Sequence, residues 1–280
     1  MHESPPAPSA AADGLRALLA VGGEHARLDR AVALLAADED PTADPDSVVA
    51  SLDDLASRLH LPRGATTVEA VARVNTHLFG RLGFAGDLSS YDDPRNSLLH
   101  RVVERRKGLP ILLSVLYMEV ARRAGLPVDG VGFPGHFVVR PRDADPPFYV
   151  DPFHEGAVVR FDTLRDRLVH LVPEANRDAA LRERFLGPTG VRQILLRMTN
   201  NLRASYLRRA DGLGVLRCLE RLLLLQPDEP SLRRDRGLLF LDLGFVDAGV
   251  HALETYLERH PDVPEAGVLR DHLLNTRSGG

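Results

Sequence analysis

The chain has 280 residues, 44% of them hydrophobic and 26% charged, with a formal net charge of −4. That content suits one large or two modest packed domains, and the slight acidity removes the global basic field that would point to nucleic acid or an anionic membrane. The single cysteine, Cys218, excludes an intramolecular disulfide and fits a reducing cytoplasm, and no apolar run is long enough to span a bilayer.

Residues 1–12 lack the basic start and apolar stretch of a secretory signal, and their Pro, Ala and Ser content reads as a disordered tail. Helical spacing runs over 13–36 through Leu15, Leu18, Leu19, Leu28, Val32 and Leu35, interrupted at Gly22-Gly23. The acidic, proline-punctuated segment 37–46 is a loop, followed by predicted helices over about 47–60 and 67–82. A second loop covers 83–96. Within it Asp93 is an N-cap with Pro94 at the first helical position of a helix that runs to Gly108. Arg105, Arg106 and Lys107 fill its last turn. An anion-binding patch is one reading of these cations; complementing the negative helix end, with Gly108 as C-cap, is the simpler one. Asp92, Asp93 and Asn96 read as capping residues that could also line a cleft.

Pro110 restarts a helix over 111–125 that is apolar almost all round in its first turns, which marks a helix buried in the core. Residues 128–141 read as a strand disrupted by Gly132, Pro134 and Gly135 before His136, and 148–153 as a second strand. Burying Phe137, Val139, Phe148 and Val150 on one face puts His136, Val138 and Arg140 on the other, with Tyr149 and Asp151. If Arg140 pairs with Pro147, His136 falls opposite Asp151, and a hydrogen bond between them follows.

After a charged connector over 160–188 the chain reads as helices at about 191–208, 213–226, 231–243, 247–260 and 265–275. QPDEP at 226–230 recurs as HPDVP at 260–264, a shift of 34 residues that also maps Leu219 onto Leu253 and Leu223 onto Leu257. A 34-residue helix-turn-helix period is the tetratricopeptide signature, and repeats present surfaces suited to partner binding. Cys218 maps onto Ala252, a small-residue packing position, so a buried structural thiol is expected there and not a nucleophile.

The chemistry-bearing candidates are few. His136 faces a carboxylate, Asp151, that can fix its tautomer and orient its ring. His154 follows closely; it reads as a surface loop residue, or as the third member of an oxygen/nitrogen metal set with His136 and Asp151. Ser114, one turn beyond Pro110, is expected to bond to a carbonyl of the preceding turn. Phosphate loops, paired zinc motifs and nucleophile elbows are absent from the sequence.

The segments ERRKGLP, GFPGHF and VDPF, within the stretch from Tyr91 to Arg140 and then YVDPFHEG, resemble the SirB-type transglutaminase-like proteins with tetratricopeptide repeats, and the resemblance extends over nearly the whole chain from about residue 13. It implies an α+β fold: a papain-like, transglutaminase-like core over 13–188 with helical N-terminal packing, then an all-α tetratricopeptide-repeat domain over 189–277. In that superfamily a Cys opens the buried helix fifteen residues before a G-[IL]-P motif. Here that motif is Gly125-Leu126-Pro127, and counting back fifteen residues from Gly125 reaches Pro110. Gly108-Leu109-Pro110 therefore stands where G-x-C would stand. His136 and Asp151 match the superfamily's His and Asp.

Proline offers no nucleophilic side-chain atom, so thioester chemistry is not expected. The leading expectation is a non-catalytic or regulatory, cytoplasmic, bacterial interaction protein with a degenerate site and a protein or peptide partner; no nucleic acid, membrane, cofactor or metal is assigned. The alternative is a hydrolase of amide or ester bonds in which His136 and Asp151 activate water or Ser114.

Overall fold

The computed structural model describes residues 4–23, 26–173 and 179–278. The chain divides into two compact units, Ala10–Met198 and a second built on the residues from Thr199 onward together with the segment before Ala10. The division falls inside one helix, Val191–Arg208.

The first unit opens with α1 (Ala10–Gly22), α2 (Leu28–Glu39), α3 (Pro45–Ser57) and α4 (Thr67–Asn75). The starts of α3 and α4 follow capping chemistry. The Asp44 carboxylate accepts from the Ser47 amide ahead of Pro45, and Thr66 with Glu69 forms a reciprocal capping box. The expected helix to residue 82 does continue past α4, but as a π-turn over Thr76–Arg81.

The helix expected from Pro94 is broken. Pro94–Ser97 is a single 3-10 turn capped by Asp93, Leu98 is extended, and α5 covers only Leu99–Arg105. The C-cap is Arg106, in the left-handed region at φ 60°, and not Gly108. Gly108 instead belongs to a two-residue bridge: β1 (Ala85–Gly86) pairs in parallel with β2 (Lys107–Gly108). Arg105 does more than complement the helix end; it donates to Asn96 and Asp87.

The central helix α6 spans Pro110–Arg123. Proline suits its first position because the missing N–H is one that no helix satisfies there. Ile111, Leu112, Leu113, Val115, Leu116, Tyr117, Val120 and Ala121 are all buried, which accounts for an apolar surface on every side in the sequence. Each large aliphatic side chain among them contributes about 1.5–3 kcal/mol on removal from water.

The strand expected over 128–141 is two strands. β3 (Val128–Val131) and β4 (Val138–Pro141) form an antiparallel pair, and the segment from Gly132 to Phe137 makes the connection between them. β5 (Phe148–Asp151) and β6 (Ala157–Arg160) complete a four-stranded sheet in the order β3-β4-β5-β6. Val139 pairs with Val150, a two-residue displacement from the expected register. Because side chains alternate with period two, the displacement keeps the same residues on the same faces.

Except at the exposed edge strand β6, both faces of this sheet are covered. Gly130, opposite Val139, lies against Met118 of α6. On the other face Val131, Val138 and Tyr149 pack with Leu164, Leu168 and Leu186. Those leucines come from α7 (Phe161–Leu171) and α8 (Ala179–Leu186), so the charged connector expected over 160–188 holds two helices that close the core.

α9 (Val191–Arg208) crosses the division between units. The second unit continues with α10 (Gly212–Leu225), α11 (Pro230–Asp242), α12 (Val246–Arg259) and α13 (Ala266–Ser278). α10 and α12 begin 34 residues apart, at Gly212 and Val246. Gly237 of α11 permits the close approach of α12: a Cβ there would meet the Leu253 side chain at 2.8 Å and the Ala252 Cβ at 3.4 Å. Leu253, Tyr256, Leu257, Leu269 and Leu273 form the core under the last two helices. Among the described residues, no helix is long and apolar enough to cross a membrane.

Candidate functional site

His136 sits outside the sheet, near the end of the connection between β3 and β4. Its amide donates to the Phe133 carbonyl at 3.1 Å, which closes the turn. Arg197 of α9 clamps the same turn: one terminal nitrogen donates to the carbonyls of Phe133 (2.9 Å) and His136 (2.7 Å), and the guanidinium lies 5.4 Å from the Phe137 ring centre. Burial pushes the Arg197 guanidinium below its ordinary value, as expected for a cation held by neutral carbonyls.

Asp151 ends β5, and Pro152 makes the turn that follows. An Asp N-cap followed by Pro at the first helical position starts the 3-10 turn Pro152–His154. The Asp151 Oδ1 accepts from the amides of Phe153 (3.1 Å) and His154 (3.3 Å). That capping turns Oδ2 toward the imidazoles.

Oδ2 receives two of them. His136 Nε2 lies at 2.7 Å and His154 Nδ1 at 2.9 Å. A carboxylate only accepts, so both ring nitrogens carry their proton in this arrangement. Burial by itself would raise the Asp151 carboxyl; the hydrogen bonds and charge of His136 and His154 outweigh it and hold the group below the usual carboxylate range. The three side chains grade from inside to outside: that of Asp151 is 6% exposed, that of His136 21% and that of His154 60%. The His136, His154 and Phe153 rings also lie in mutual edge or tilted contact. Gly86 supports the turn from below, where a Cβ would meet the Phe153 ring at 2.6 Å.

His136 and Asp151 thus meet, although not as directly facing residues of a ladder. The register of Val139 on Val150 sets Asp151 opposite Val138, and His136 reaches it from the connecting turn. His154, read from the sequence as a surface loop residue or as a third member of this set, joins them while staying 60% exposed. The signal was present in the sequence, because a capped one-turn helix returns residue i+3 over residue i.

Pro110 occupies the buried first position of α6, the helix that packs against the 152–154 turn and against β3 and β4. Ser114 is fully buried and donates to the Phe137 carbonyl at 3.2 Å, not to the preceding turn of its own helix. Asn96 is buried and spans Asp87, the Ser90 carbonyl and Arg105, while its own backbone carbonyl accepts from Leu109 just before Pro110. Asp93 caps, as expected. Cys218 is fully buried in α10, within the second unit.

Comparison with known proteins follows the same two-part division. Residues 46–200 match the model of the transglutaminase-like superfamily, and residues 202–273 that of the tetratricopeptide repeat. A UPF0162 protein of Xylella fastidiosa is 38% identical over 266 residues, covering 92% of each chain. The chain belongs to the UPF0162 family. A UPF0162 protein of Vibrio cholerae is 31% identical over 190 residues, covering 67% of this chain and 68% of that one. The human F-box only protein 21 is 30% identical over 184 residues, 61% of this chain and 28% of that protein. No solved structure matches the chain. The fold expected from the sequence, a transglutaminase-like α+β domain followed by a helical repeat region, is the one found.

Proposed function

We propose that this UPF0162 protein is a non-catalytic interaction protein of the bacterial cytoplasm, of the SirB type. Its transglutaminase-like part, assigned to 13–188, keeps a His–Asp pair without a nucleophile, and its repeat part, assigned to 189–277, recruits a protein or peptide partner. The observation that carries this reading is Pro110 at the buried start of α6, where the resemblance places a thiol. Two further observations support it. Ser114 has its hydroxyl proton committed to the Phe137 carbonyl, and Cys218 is buried in the other unit. Tetratricopeptide units generally bind proteins through extended repeat surfaces.

The test is affinity capture from a bacterial lysate with the full chain and with a chain ending at Arg208. That end keeps α9 and Arg197, and circular dichroism establishes that the shortened chain is folded. Capture of a partner by the full chain and its loss from the shortened one is the expected result. Equal capture by both removes the repeats as the recruitment surface.

A second reading rests on the 2.7 Å contact between His136 and Asp151 and on the partial exposure of the His136 ring. In it the pair activates water for hydrolysis of an amide or ester, with His136 as general base and Asp151 orienting it. Turnover that His136→Ala abolishes is the result that favours this reading over the first.

A further inference from the structure

We propose that His136, Asp151 and His154 form a binding site for a borderline divalent transition-metal ion of the Zn²⁺ class, one that ties the His136 turn to the 152–154 turn. His136, Asp151 and His154 each offer a ligand atom, and these atoms all lie within 4.8 Å of one another. Two imidazoles and one carboxylate form a donor set that suits Zn²⁺ and its neighbours Co²⁺ and Ni²⁺, whereas Mg²⁺ and Ca²⁺ favour oxygen ligands throughout.

The geometry is close to what such an ion needs. In a tetrahedral site with metal–ligand distances of about 2.0–2.2 Å, donor atoms lie roughly 3.3–3.5 Å apart. The two His–Asp separations are 2.7 and 2.9 Å. The third separation, between the two imidazole nitrogens, lies within 4.8 Å. Admitting an ion therefore asks each imidazole to withdraw from Oδ2 by about half an ångström and the two ring nitrogens to settle roughly 3.3–3.5 Å apart, with the ring protons held on the opposite nitrogens. His154, 60% exposed, has the freedom to do so and leaves a path from solvent.

The surroundings are built as a supporting shell. Asp151 Oδ1 is fixed by the two amides of Phe153 and His154, so the carboxylate cannot turn away. The backbone of His136 is fixed by Arg197. Such outer contacts orient metal ligands and hold their affinity. With Pro110 in place of a thiol, His136 has no neighbouring thiolate to serve. Three protein donors leave a fourth position for water. This site does not depend on the interaction reading, because neither a partner nor the repeat helices enter it.

The test uses the full chain, stripped with chelator, in calorimetric titration with Zn²⁺ and in visible spectroscopy with Co²⁺. The wild type is compared with His154→Ala and, as a control for other histidines, His251→Ala. One saturable equivalent is expected in the wild type and in His251→Ala, together with Co²⁺ d–d absorption. His154→Ala should weaken binding by at least about a hundredfold, beyond the 10–100-fold effect of outer-shell changes, and abolish the Co²⁺ bands. Because His154 is exposed, this variant is expected to fold, and circular dichroism checks it. No saturable binding in the wild type overturns the site, and so does binding that His154→Ala leaves unchanged. Partner capture reads the interaction proposal separately.

Discussion

Two aspartates of the first unit, Asp29 and Asp151, are nearly sealed from water, yet they are built for different ends. Asp29 is surrounded by permanent cations. Arg123 Nη2 lies at 2.7 Å, Arg27 Nη2 at 2.9 Å and Arg122 Nη2 at 3.6 Å, and the Arg30 amide donates as well. Arg123 is itself largely buried and bridges to Asp53 and Glu119, so the network ties α2, α3 and α6 together. Asp151 is instead paired with two imidazoles, His136 at 2.7 Å and His154 at 2.9 Å, a side-chain type that commonly ligates metals. A buried carboxylate paired with guanidinium is fixed; one paired with histidine on a solvent-facing turn is exchangeable. The proposed site rests on that difference.

The largest stability effect is expected at Asp29. Asp29→Ala leaves Arg123 buried with fewer partners and should cost roughly 3 kcal/mol, the loss for breaking a buried pair, read as a lowered urea midpoint at neutral pH. The pH dependence sharpens it. Burial would raise the Asp29 carboxyl, but its bonds to Arg27 and Arg123 take it from 3.8 down to about 2. The stabilisation, roughly 2 kcal/mol, is therefore complete above about pH 4 and lost as pH falls through about 2. Urea midpoints measured across that range should converge for wild type and variant at the acid end, apart from the packing loss.

Arg197→Met comes next. It releases the carbonyls of Phe133 and His136 and should cost roughly 2 kcal/mol. Beyond stability, the His136 ring resonances should broaden or shift in NMR spectra. A ring signal that does not move would mean that Arg197 packs the turn without positioning the histidine.

Asp151→Asn is expected to be milder, about 1–2 kcal/mol, since the amide oxygen can still cap the 3-10 turn while the charged contact to the imidazoles is lost. The Asp151 carboxyl is held below its ordinary value, so its contribution exists above the ordinary carboxylate range and fades on acidification. Comparing the urea midpoints of wild type and variant at neutral and acid pH tests this: the gap should narrow at low pH.

His154→Ala should change stability least, by less than about 1 kcal/mol, because its contact is largely exposed. A loss as large as that at Asp29, measured by the same denaturation, would place His154 among the structural ion pairs and break the contrast.

The helices of the repeat region were legible because amphipathic spacing is local. The boundaries of α9 to α12 follow the sequence to within a residue or so, and the 34-residue shift reappears as the spacing of α10 and α12. The strand register was not local. Pro134-Gly135 turns the chain, with Gly135 at φ 70°, and β3 and β4 pair across that turn, with Val139 set on Val150 of β5. Face assignment survived because two residues is one full period of a strand. β6 and α7 were hidden by exposure: β6 is an edge strand with largely exposed side chains, and only Leu164 and Leu168 of α7 are buried. The His136–Asp151 contact was legible from pairing types, whereas His154 needed the capped turn at Asp151-Pro152 to be taken as a helix start.

With Pro110 at the head of α6, the proposed reading has the His136–Asp151 pair persisting without catalysis. The most direct measurement is hydrolysis of amide and ester substrate libraries by wild type and His136→Ala, each assayed metal-free and Zn²⁺-loaded. Equal background rates for both proteins in both states are the expected result. Turnover by the wild type that disappears in His136→Ala would contradict it.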